Sequence, residues 1–177
     1  MDKRHIGLNL TIGLKQEQRK MKDINNILAI VNHEDDGEIV LQKAMLLAEN
    51  NGATIHVAKI VYEGFVDLSV HEVEQSQELK SFIMQAEESL VEDLIDPLRS
   101  GRVAIESCVV WHKYEYQGIL DVAAECSADL IVKATDHPAK EIIRTPQDWN
   151  LLRHADIPVM LVKPFAWKEN PVVVAAV

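Results

Sequence analysis

Asp129-Leu130-Ile131-Val132-Lys133-Ala134-Thr135-Asp136-His137 leads, after a further loop, into Thr145-Pro146-Gln147-Asp148-Trp149-Asn150-Leu151-Leu152-Arg153 and then Ile157-Pro158-Val159-Met160-Leu161-Val162-Lys163. The order reads as a buried strand, a long loop, a short helix opened by Thr145-Pro146, and a second buried strand. In an open α/β sheet ligands bind beyond the carboxyl ends of the strands. The loop from 134 to 145 is therefore where a phosphate would be held. It contains no glycine.

Working outward, residues 27–31 (Ile-Leu-Ala-Ile-Val) form a short continuous apolar run, as expected of a strand buried on both faces of a parallel sheet. The acids Glu34, Asp35 and Asp36 precede Gly37 and suit the amino end of a helix, where exposed N–H groups and the dipole favour carboxylates. That local preference accounts for the cluster without a metal. The helix is marked by Val40, Ala44, Leu47 and Ala48 and stops at Asn51-Gly52. Residues 53–61 predict a second strand, and residues 62–77 a connection with a short helix. Leu79, Ile83, Ala86, Leu90 and Leu94 recur at helical spacing and predict the buried face of a long helix that ends near Pro97. A third strand is expected at 103–110, a helix at Ile119, Val122, Ala123 and Cys126, a fourth strand at 130–132, a short helix at 149–153 and a fifth strand at 159–162. Strands alternating with helices imply right-handed parallel βαβ units and a doubly wound α/β sheet with helices on both faces.

The ends have a different character. Residues 1–22 mix Gly7, Gly13 and charges without a clear period and read as a flexible arm or extension, with Met21 as an alternative start. The α/β domain spans 23–163. Residues 164–177 read as a proline-bounded linker followed by an apolar run, Val172 to Val177, like the opening strand of a truncated second domain, the alternative being an added strand or swapped segment.

The 177 residues carry a formal charge of −10, with 47% hydrophobic and 26% charged residues. Such a field repels phosphate backbones, and no basic cluster reverses it, so nucleic acid is not an expected partner. Two cysteines do not make a disulfide framework; Cys108, inside an apolar run, is expected to pack as a small hydrophobe, and a reducing cytoplasm fits. No apolar run approaches the roughly 20 residues that span a bilayer, and residues 1–22 lack the apolar core of a signal peptide.

With these elements placed, the chain resembles the first half of the tandem, E-type universal stress proteins. The residues that carry the likeness are Val109-Val110-Trp111-His112, residues 129–133, and the run from Thr145 through Trp149 and Arg153 to Lys163. The resemblance implies a five-stranded parallel sheet in the order 3-2-1-4-5, a cytoplasmic location, and pairing of domains through the fifth strand, Val159–Val162; the unpaired N–H and C=O groups of an exposed fifth strand also predict a homodimer. ATP-binding members of the family carry Gly-x-x-Gly after the fourth strand and a later glycine before the short helix, because glycine lets backbone N–H groups approach phosphates closely. Here those positions read Lys133-Ala134-Thr135-Asp136-His137-Pro138 and Ile143-Arg144-Thr145-Pro146, and the usual Asp after the first strand is Asn32. Thr145 alone matches. ATP is therefore disfavoured as a ligand, and no cofactor is expected.

The sheet top is expected to gather Asn32, His33, Trp111, His112, Lys133, Thr135, Asp136 and His137, with Arg144 and Thr145 as further candidates for ligand contact. Three histidines and an aspartate suit zinc chemically, but their spacing matches no metal motif. Lys133 follows a buried strand and needs an outward path or a carboxylate such as Asp136. Trp111 and Trp149 suit a planar ligand but more commonly close a core. No Gly-x-Ser-x-Gly elbow is present, so catalysis by a serine triad is not expected. The favoured reading is a non-catalytic, stress-response domain that acts by association; its rivals are a nucleotide switch using Lys133, Thr135 and Arg144 on the phosphates, and a carrier of an apolar or aromatic ligand.

Overall fold

A computed structural model describes residues 23–32, 34–64, 66, 73–135 and 146–163. The arm at 1–22, the linker at 164–177, and the candidates His33, Asp136, His137, Arg144 and Thr145 lie outside the described residues. The described elements, in chain order, are β1 (Asn26–Ile30), α1 (Glu34–Asn51), β2 (Thr54–Val61), α2 (Val73–Ile95) with a 3-10 turn Asp96–Leu98, β3 (Ile105–Trp111), α3 (Glu115–Glu125), β4 (Leu130–Ala134), α4 (Pro146–His154) and β5 (Val159–Val162). The five strands make one sheet in the order β3-β2-β1-β4-β5. Every neighbouring pair is parallel. The doubly wound fold expected from the sequence is the one observed.

Two cores sandwich the sheet. Ile27, Ala29, Ile55, Val57 and Val132 face α1 and α2 through Val40, Ala44, Ala48, Val91 and Ile95. Leu28, Ile30, Ala58 and Ile131 face α3 and α4 through Ile119, Val122, Ala123 and Leu151. Because side chains alternate across a strand, neighbours in sequence feed opposite cores, which is why the central strands are apolar at almost every position. Helix α1 ends where Gly52 takes φ +69, and the N–H groups of Gly52 and Ala53 both return to the Ala48 carbonyl, at 2.7 and 3.1 Å. Gly118 allows α3 to sit close on the sheet: an added Cβ would come within 3.0 Å of His112 and of Ile60.

Three expectations are corrected. Helix α2 begins at Val73 rather than near Leu79. Its buried side is Val91 and Ile95, with Leu94 packed against the same core as expected, whereas Leu79 and Leu90 are 40% and 44% exposed and Phe82 is 69% exposed. The helix is turned so that Glu87 reaches Lys59 on β2 and Glu92 reaches Ser107 on β3. Those polar contacts lie on the same side of the helix as the buried Val91 and Ile95. Cys108 is exposed rather than packed, since β3 is the edge strand and shows Glu106, Ser107 and Cys108 to solvent. Trp149 closes no core; it is 52% exposed. Among the described residues no helix is long and apolar enough to cross a membrane.

Candidate functional site

The strand order reverses between β1 and β4, whose neighbours β2 and β5 lie on opposite sides, and the carboxyl ends of these two strands bound the crevice where such sheets take ligands. Chain folding brings four polar side chains to that place. Asn32 follows β1, Lys133 is the fourth residue of β4, Glu115 opens α3 and Asp148 lies in the first turn of α4.

Lys133 is the centre of the group. It is 3% exposed, and its ammonium lies 3.2 Å from Asp148 Oδ1, itself on a residue 1% exposed, and 3.5 Å from Glu115 Oε1. Its third described partner is the Ala134 carbonyl at 3.3 Å. Asn32 completes the arrangement: its Nδ2 donates to Glu115 Oε1 at 2.6 Å, and its Oδ1 accepts the Ile60 N–H at 3.0 Å. One amide thus links β1, β2 and α3. A lysine withdrawn from water needs this much company, because an unpaired charge there costs several kcal/mol.

Both acids sit in the first turns of their helices, where the positive end of the dipole favours a carboxylate. The amino end of α4 is also where a phosphate would be bound in a glycine-looped relative of this architecture. In this chain Asp148 lies in that turn and pairs with Lys133.

The remaining candidates separate from this group. Thr135 donates its N–H to the Val162 carbonyl at 2.9 Å and continues the pairing of β4 with β5. Trp111 packs edge-on to Tyr62, ring centres 5.9 Å apart, beneath the Lys80 ammonium, on the α2 side of the sheet. His112 sets its Nδ1 3.0 Å from the Tyr114 N–H and its Nε2 3.9 Å from Asp121. Neither ring joins Lys133. Among the described residues no three His, Cys, Asp or Glu side chains are placed to hold a metal ion.

Sequence reasoning found Asn32 and Lys133 but not their partners. Glu115 carried no motif, and Asp148 stood in a helix-opening run where acids are common. The signal available was the lysine itself, which demanded a carboxylate; the described ones are Asp148 and Glu115. A second buried lysine was also missed. Lys43, on α1, is 3% exposed, and its Nζ donates to the Lys163 carbonyl at 2.7 Å; burial pulls its ammonium below the usual lysine range.

An open, doubly wound α/β sheet with a polar crevice at its switch point defines the class of protein. The chain belongs to the universal stress protein family, whose profile matches residues 23–163. It is 29% identical over 161 residues to Universal stress protein E of Photorhabdus laumondii, an alignment covering 89% of this chain and 51% of the relative. It is 30% identical over 156 residues to Universal stress protein E of Salmonella typhi, covering 86% and 49%. The chain therefore spans about half the length of the curated relatives it matches. Universal stress protein UspA from Lactobacillus plantarum shares the fold, with a TM-score of 0.62 at 16% identity over 80% of this chain and 99% of that one.

Proposed function

We propose that this chain is a non-catalytic, cytoplasmic stress-response module that works by association rather than by binding ATP. The observation that carries the reading is the buried Lys133–Asp148 pair, flanked by Glu115 and Asn32, standing in the crevice. A nucleotide phosphate entering there meets two carboxylates and has to take the lysine away from Asp148. The glycine-free segment after β4 supports the same conclusion, since side chains at Ala134 and Thr135 hold the backbone away from a phosphate. Association is supported by β5, a four-residue edge strand with half-buried Val159, Met160 and Leu161 and one described neighbour, β4. An edge of this kind invites a second strand, from another copy or from a second domain.

The test is calorimetry of the chain with ATP and magnesium, beside a variant carrying Ala134→Gly and His137→Gly. The reading expects no binding by the natural chain, and binding by the glycine variant would name the loop as the cause. Micromolar binding by the natural chain would replace it with the nucleotide switch. Silence from both leaves the carboxylate pair as the barrier, and Asp148→Asn added to the glycine variant then restores binding if that explanation is right.

A further inference from the structure

The last residues of β5 are held from two directions. Thr135, just past β4, donates its backbone N–H to the Val162 carbonyl at 2.9 Å. Lys43, from the middle of α1 and 120 residues away in sequence, donates its ammonium to the next carbonyl, that of Lys163, at 2.7 Å. Two consecutive peptide planes are thereby fixed, one from the sheet and one from the helix layer above it. The stem of Lys43 is enclosed, the residue being 3% exposed beside Ala44, and Val162 and Ala134 belong to the same core. A short rigid path therefore runs from α1 to the point where the chain leaves the sheet.

From this geometry we infer that Lys43 is a positioning residue for the β5 docking edge: it fixes the carboxyl end of β5. The inference rests on the association reading given above. Four residues paired on one side make few ladder hydrogen bonds, and an edge strand that frays presents no fixed template to a partner. The lysine supplies what the short ladder lacks. A methionine at the same place keeps the volume of the stem and loses only the donor, whereas arginine keeps a donor at similar reach.

Hydrogen exchange and sedimentation equilibrium of the full chain, with Lys43→Met and Lys43→Arg, test this. In Lys43→Met the amides of Met160 and Val162, which face β4, are expected to exchange about tenfold faster, the scale set by losing one hydrogen bond from a charged donor, while the amides of β1 keep their protection. The dimer is expected to weaken by a similar factor, and Lys43→Arg to restore both. Unchanged exchange in β5 would overturn the inference. Uniform loss of protection in β1, β4 and β5 would also overturn it, marking Lys43 as a general core contact. A natural chain that stays monomeric removes the docking reading alone, because the exchange pattern still decides whether Lys43 holds β5.

Discussion

Strands β4 and β3 belong to the same parallel sheet and treat their residues in opposite ways. In β4 every position is buried, including a lysine; in β3 three of seven positions are exposed, including a cysteine. By residue type the order should be reversed, since free cysteine is among the most buried side chains and lysine among the least. Position in the sheet overrides type. Strand β4 lies between β1 and β5 with helices on both faces, so Lys133 cannot reach water and is answered by Asp148 and Glu115. Strand β3 has one described neighbour, β2, and leaves Glu106, Ser107 and Cys108 exposed.

The largest test of this contrast is to remove one member of the buried pair. Asp148→Ala leaves the Lys133 charge in the crevice without the nearer of its two described carboxylates and is expected to cost about 3–5 kcal/mol in urea denaturation, whereas Lys133→Met with Asp148→Leu costs much less. Equal losses from the single and double variants would mean that the charges matter only through packing.

A smaller effect compares apolar contacts in the two strands. Ile131→Ala, in the centre of β4, is expected to lose about 3 kcal/mol, and Cys108→Ser, at the edge, about 0.5 kcal/mol or less. A cost at Cys108 approaching that at Ile131 would show that β3 is covered in solution.

The smallest concerns pH. Partial burial, with Cys126 and Glu125 adding to it, pushes the Cys108 thiol above its ordinary value, and burial does the same to Cys126. Thiols whose folded pKa lies above the unfolded one contribute stability that is fully present below the unfolded value near 9 and is lost as pH rises through the folded value. Denaturation midpoints should therefore fall above pH 9, and the double variant Cys108→Ser, Cys126→Ser should flatten that fall. An identical pH profile for both proteins would remove the thiols from the account.

Much of the fold was legible because its signals are local. The apolar runs of β1 and β4 and the stop at Asn51-Gly52 depend on the period and backbone freedom of a few adjacent residues. Helix α2 was legible as a helix but not in its rotation. Leu79, Ile83, Ala86 and Leu90 share one flank, yet the neighbouring flank with Val91 and Ile95 faces the sheet, on the same side as the Lys59–Glu87 pair and the Ser107–Glu92 hydrogen bond of 2.6 Å. Half of the crevice was legible in the same sense: Lys133 announced a need for a partner, and Asn32 stood at the end of β1.

By itself the sequence determined the alternation of strands and helices, the absence of glycine after β4, and the presence of a lysine too deep to stay alone. Only the tertiary structure decided which acids meet that lysine, which carbonyl Lys43 holds, and which cysteine is left outside. The reason is distance along the chain. Asp148 and Glu115 approach Lys133 from residues 15 and 18 positions away, and Lys43 reaches Lys163 across 120. No local period encodes such meetings; they exist once the crossovers have stacked the helices over the sheet.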